Sequence, residues 1–105
     1  MDADILELHT LGSFLELTRT CAPRLLVVDF FAHWCGPCKL IAPQFAALAR
    51  KHKEIAQFVK VDVDAAPDVQ AHARIRAMPT FHIYHRGERV HEMVGANLTK
   101  VTVAL

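Results

Sequence analysis

A chain of 105 residues has room for one compact domain with a single core, and we read residues 1–105 as that domain. Apolar residues make up 52% and charged residues 22%, with a formal net charge of +1, which excludes a disordered or collagen-like chain and leaves no basic footprint for nucleic acid. The longest apolar stretches, 25–28 and 30–32, are split by Asp29 and fall far below the ~20 residues of a membrane span, and the acidic start Met1-Asp2-Ala3-Asp4 lacks the features of a secretory leader.

Ile5-Leu6-Glu7-Leu8-His9 alternates partially, as a strand does, and Leu11, Phe14, Leu15 and Thr18 then recur at helical spacing. The run 25–31 is apolar on both alternating faces, the pattern of a strand between two helical layers, and belongs at the centre of a sheet. After Cys38, the residues Ile41, Phe45, Leu48 and Ala49 form a helical stripe. It ends in Arg50, Lys51, His52 and Lys53, whose positive charge suits a helix's negative end, and this predicts the longest helix. Residues 58–63 are a β-branched run, and a further helix opens at Pro67 and reaches Ala73. Alternation of strand and helix implies a parallel sheet. Past Pro79 the pattern becomes two short strands, 80–85 and 88–94, turned by Arg86-Gly87, so the sheet is mixed. The segment 97–105 predicts a last helix capped by Asn97, although Thr99, Val101, Thr102 and Val103 are β-branched and oppose it. The four glycines are too scattered to cradle a phosphate. The fold class is α/β, a five-stranded mixed sheet with helices on both faces.

Three cysteines, an odd and small number, suit a reducing compartment better than a disulfide-stapled secreted domain. Two of them, Cys35 and Cys38, stand three apart between the buried strand and the long helix. At that spacing in a helix's first turn they are roughly 5–6 Å apart and able to close a disulfide. Unpaired N–H groups and the positive dipole end favour a thiolate there, so Cys35 is the attacking sulfur, and Cys38, one turn inward and more shielded, is the resolving one. Gly36 lets another chain approach, and Pro37 has no N–H to lose in the opening turn. A zinc site needs a second pair of ligands, and Cys21 has no companion at ligand spacing. Two inert structural cysteines are the remaining alternative, set against a reactive position beside a helix start.

The segment Asp29-Phe30-Phe31-Ala32-His33-Trp34-Cys35-Gly36-Pro37-Cys38-Lys39 closely resembles the active-site segment of the thioredoxin family. Val61-Asp62-Val63-Asp64, Met78-Pro79-Thr80, Arg86-Gly87-Glu88 and Val94-Gly95-Ala96 are similar to the family's later landmarks, in the same order. The resemblance implies the thioredoxin fold and a thiol–disulfide oxidoreductase that reduces protein disulfides without a bound cofactor. It further implies a cytoplasmic monomer recharged from NADPH by a separate flavin-dependent thioredoxin reductase, with disulfide-containing clients such as peroxiredoxins and reductases.

By the same resemblance Asp29 is a buried acid/base serving Cys38, with Lys60 on the adjacent strand as its charge partner; the other reading is a structural aspartate paired with Lys60. Pro79 resembles the family's cis-proline facing the cysteines, where the backbone of Met78 and Thr80 meets an extended client; read alone, it would merely start an edge strand. Trp34 is a platform for clients, a shield over the disulfide, or both at once, and Gly95 either leaves room for a client's backbone or simply ends a strand. Cys21 reads as a silent, partly buried thiol rather than a regulatory one, and most of the seven histidines as surface residues.

The chain departs from the family in three places. Phe31 stands where many members have a second tryptophan, which removes an indole donor. His33, when protonated, would stabilise a nearby thiolate. The tail after Gly95 is shorter than the family's last helix, which bears on stability or on truncation. Two other functions stay open: an oxidising or isomerising domain like those of protein disulfide isomerase, against which Pro37 and the missing leader count, and a non-catalytic module docking through Trp34 and Pro79.

Overall fold

The computed structural model describes residues 3–105; the start at Met1 and Asp2 lies outside them. The elements run β1 (Ile5–Glu7), α1 (Leu11–Thr20), β2 (Leu25–Phe31), α2 (Gly36–His52), β3 (Ala56–Asp62), α3 (Pro67–Ala73), β4 (Thr80–His85), β5 (Glu88–Val94) and α4 (Thr99–Ala104). Lateral order in the sheet is β1-β3-β2-β4-β5, with β2 in the middle as its two-sided apolar pattern requires. β2 pairs parallel with β3, placing Asp29 opposite Lys60, and antiparallel with β4, placing Asp29 opposite Phe81.

Two apolar layers cover the sheet. On one face Phe14 of α1 meets Phe30 and Tyr84, with Val69 and Ala73 of α3 alongside. On the other, Ile41, Phe45 and Ala49 recur at the four-residue spacing of one helical stripe, and Phe45 contacts Phe58 and Phe81 at ring separations of 5.3 and 5.8 Å. A buried phenylalanine of this kind contributes on the order of 3–5 kcal/mol against truncation to alanine.

Local chemistry sets the ends. Thr10 caps α1 by accepting the Ser13 N–H at 3.1 Å. Arg86 and Gly87 take φ values of 54° and 86°, the pair of positive values that a two-residue turn matched to strand twist demands. Gly87 then donates its N–H to the Thr18 carbonyl, tying the hairpin tip to α1.

Some expected boundaries shift. β1 stops at Glu7 rather than at residue 9, although the Leu8 N–H still reaches the Lys60 carbonyl, and β3 occupies Ala56–Asp62 rather than 58–63. Leu15 faces out of α1, whose buried residues are Phe14 and Thr18. The last helix forms despite its β-branched residues because Val101 is fully buried. Asn97 is not its cap: Leu98 holds that position, and the Asn97 side chain accepts the Thr99 N–H at 2.8 Å from one residue further back.

Candidate active site

The carboxyl end of β2 delivers Ala32 into a short turn, closed by the Cys35 N–H on the Ala32 carbonyl at 3.1 Å, and α2 begins at the next residue. Cys35 is therefore the N-cap of a 17-residue helix, and its sulfur accepts the Cys38 N–H at 3.1 Å. Pro37 occupies the first turn, where its missing N–H costs no hydrogen bond. Cys35 and Cys38 are joined by a disulfide with Cα atoms 5.3 Å apart. Among the described residues, no group of three or more His, Cys, Asp or Glu could hold a metal ion.

One expectation fails here. Cys38 is not the more shielded cysteine; both are 4% exposed. The two sulfurs differ in surroundings instead: Cys35 Sγ lies 3.6 Å from the Met78 carbonyl oxygen, whereas Cys38 lines a cleft of about 180 Å³ with Phe31, Ala32, Lys39, Ala42 and Lys60.

Asp29 is buried in β2, with Oδ1 lacking any hydrogen-bond partner. Burial pushes its carboxyl up to about 7, against a weaker opposing pull from the Lys60 charge. Asp29 and Lys60 do not form a contact ion pair: the Lys60 ammonium sits 4.5 Å from the centroid of the Phe31 ring, so the lysine acts on the carboxylate only through space. Phe31 thus replaces an indole donor with a cation-binding ring face. His33 packs edge-on against the same ring and places Nε2 3.2 Å from Asp62 Oδ2, tying it to β3 rather than to Cys35.

Trp34 is 68% exposed, with its indole N–H donated to Asp64 at 2.9 Å. The Met78–Pro79 bond is cis. Gly95 donates its N–H to the Pro79 carbonyl at 2.9 Å and has φ 105°, which favours glycine, with open space where a Cβ would stand. Thr80 is committed internally: it is buried, and its hydroxyl donates to the Ala77 carbonyl at 2.7 Å.

Trp34, Gly36, Pro37, Met78, Pro79 and Gly95 thus lie on elements that converge around the two cysteines, with Asp29 and Lys60 beneath. Cys21 is apart from them, buried near the start of β2, its thiol 3.4 Å from the Leu25 carbonyl and made harder to ionise by burial.

Two features escaped the sequence reading. His82 is wholly buried, with Nδ1 2.9 Å from the Tyr84 hydroxyl and Nε2 2.8 Å from Glu92 Oε2. Glu92 is held below the usual carboxylate range chiefly by that hydrogen bond, so it accepts from Nε2–H while Tyr84 donates to Nδ1. The available signal was parity, since His82 and Tyr84 share one face of β4, where Phe14 of α1 packs on Tyr84 and Phe30 of the neighbouring β2 lies beside His82. The second feature is a cleft at the end of α3 that bears Arg74 and Arg76 on either side of the apolar Ile75.

Residues 9–104 match the family model described as Thioredoxin. Thioredoxin-1 of Schizosaccharomyces pombe is 47% identical over 85 residues, covering 81% of this chain and 82% of its own. The crystal structure of Schistosoma mansoni thioredoxin superposes with a TM-score of 0.88 at 45% identity, covering 95% of this chain and 91% of that one. A further structure has a TM-score of 0.88 at 34% identity over 98% of this chain and 94% of its own; it concerns the thiol-resolving mechanism of a yeast mitochondrial 1-Cys peroxiredoxin via glutathione/thioredoxin systems. A redox-active cysteine pair at the head of a helix, a mixed five-stranded sheet beneath it and agreement over almost the whole length meet in one conclusion: this chain belongs to the thioredoxin family, and its chemistry is thiol–disulfide exchange.

Proposed function

We propose that the chain is a general reductant of protein disulfides, with Cys35 as nucleophile and Cys38 as resolving thiol. The observation that carries the reading is the position of Cys35 Sγ at the N-cap of α2, where it accepts the Cys38 N–H. In the reduced protein the same donor and the helix's positive end stabilise a thiolate. That thiolate attacks one client sulfur; a Cys35–client bond forms as the client's S–S bond breaks, and the departing client sulfur takes a proton from solvent. Cys38 then loses its proton and attacks Cys35 Sγ, forming the intramolecular disulfide and expelling the second client thiolate. Two electrons pass from the dithiol to the client.

Asp29 takes the Cys38 proton. A carboxyl raised to about 7 is poised to exchange protons at neutral pH, and its Oδ1 carries no hydrogen bond of its own. Lys60 tempers that carboxyl through space. Trp34, Gly36, Pro37, Met78, Pro79 and Gly95 form the client-binding surface, the Met78 backbone pairing with an extended client chain while Thr80 holds the turn that presents it. A separate thioredoxin reductase, drawing on NADPH, returns the disulfide to the dithiol, peroxiredoxins are among the clients, and the chain works as a cytoplasmic monomer that carries electrons without a bound cofactor.

The test is Cys38→Ser mixed with a disulfide-bonded client. A covalent adduct on Cys35 is expected. Trapping by Cys35→Ser instead would reverse the roles, and adducts with neither variant would remove the reading.

A further inference from the structure

At the carboxyl end of α3 lies a cleft of about 440 Å³ lined by Pro67, Gln70, Ala71, Arg74, Ile75 and Arg76. Its position follows from the chain: Met78, whose carbonyl is 3.6 Å from Cys35 Sγ, comes two residues after Arg76, a span of at most about 7 Å.

Two features of the cleft are unusual. Arg74 closes α3 with φ 59° and ψ 45°, a left-handed conformation where glycine or asparagine is the common choice and any other residue costs about 1 kcal/mol or more. An arginine nonetheless occupies it, and a second arginine follows at the next position but one. Neither guanidinium has a carboxylate partner among the described residues. The acid of α3, Asp68, accepts from the Leu11 and Val69 N–H groups at 3.4 and 2.8 Å and does not line the cleft. Ile75 between the two arginines is buried. Its N–H is held by the Gln70 carbonyl at 3.1 Å and its own carbonyl by the Gln70 side chain at 3.4 Å, so the pair flanks a pinned residue.

We propose that Arg74 and Arg76 select clients whose disulfide is flanked by acidic side chains, with the client's carboxylates seated in this cleft while its sulfur meets Cys35. The inference rests on the reductase reading and adds a substrate class to it. Guanidinium groups present paired donors that match carboxylates, and unpaired cations beside a reactive site speed the encounter with an anionic partner. Asp62 and Asp64, engaged by His33 at 3.2 Å and by Trp34 at 2.9 Å, place negative charge on the Trp34 side, so the client's acidic flank points toward α3.

Two cyclic disulfide peptides, identical except for two glutamates or two lysines beside one cysteine, test this. Each is reduced by the pre-reduced protein in single turnover and followed by chromatography. The glutamate peptide is expected to react roughly tenfold faster, as two exposed ion pairs allow, with the ratio falling toward one in about 1 M salt. The double substitution Arg74→Glu with Arg76→Glu should invert the ratio. Because the ratio is internal to each protein, partial destabilisation does not affect it, and should the double variant fail to fold, Arg76→Glu alone must shrink it. Equal rates with the unsubstituted protein, or a ratio indifferent to charge reversal, overturn this inference and leave the reductase reading standing. Failure to reduce either peptide overturns the reading itself.

Discussion

Replacing Asp29 by asparagine removes a buried carboxyl while keeping its shape. The folded protein holds this proton up to about pH 7, whereas an unfolded chain releases it near 3.8. Between those values the folded state binds more protons than the unfolded one, so the contribution of Asp29 to stability is most favourable below 3.8 and is lost as the pH climbs toward 7. At about 1.4 kcal/mol per pKa unit the gap amounts to about 4 kcal/mol, an upper bound because the oxygen is only one of the groups that relax when the charge appears. Asparagine carries no charge and has no such pH dependence, though burying its amide without a partner costs about 1–3 kcal/mol at every pH. Urea unfolding of the oxidised protein and of Asp29→Asn at about pH 3 and pH 8 separates the two effects. The stability difference should move in favour of the variant by about 4 kcal/mol from the lower pH to the higher. A difference that stays flat with pH, or moves the other way, would refute the claim that burial dominates the Lys60 attraction.

Burial holds the His82 imidazole below its ordinary range, so acid must charge a buried ring and stability should fall as the pH drops through about 6.5. Unfolding of Asp29→Asn with and without His82→Leu from pH 7 to pH 5 checks this free of the opposing Asp29 slope, and the leucine variant should show the shallower decline. Gly95→Ala places a side chain at φ 105°, with open space around its Cβ, so the backbone alone should cost about 1–2 kcal/mol, seen as a lower urea midpoint at unchanged slope. Trp34→Ala should lower kcat/KM for a protein disulfide while leaving the unfolding free energy within about 0.5 kcal/mol of the parent, since the ring lies mostly outside the core.

Much of the fold was legible because burial writes itself into sequence period. The two-sided apolar run of β2 could only be a central strand, and the Ile41, Phe45 and Ala49 stripe could only be one face of a helix. Gly87 between two short strands marked the hairpin turn, whereas the positive φ of Arg86 is imposed by the turn rather than by its residue type. Asn97 misled because a side-chain oxygen near a helix start satisfies an N–H from more than one position, and here it does so one residue too early. Four of the seven histidines are exposed, as composition suggests, but His82 is buried because its partners, Tyr84 two residues on and Glu92 across the hairpin, satisfy both ring nitrogens. Partnership of that kind depends on strand register, which no local pattern records.

In the site, the spacing of Cys35 and Cys38 and their place before a helix were readable from residue types alone. The relative shielding of the two sulfurs was not, since it depends on what Met78 and Lys60, distant in sequence, bring against each of them. The same holds for Lys60, which turns to the Phe31 ring instead of pairing with Asp29.

The account depends most on the ease with which Cys35 ionises at the head of α2. The pH dependence of alkylation in the reduced protein, with mass spectrometry locating the modified cysteine, measures this directly. Cys35 should react first, with a midpoint clearly below the roughly 8.5 of a free thiol. A midpoint at or above that value, or Cys38 reacting first, would contradict it.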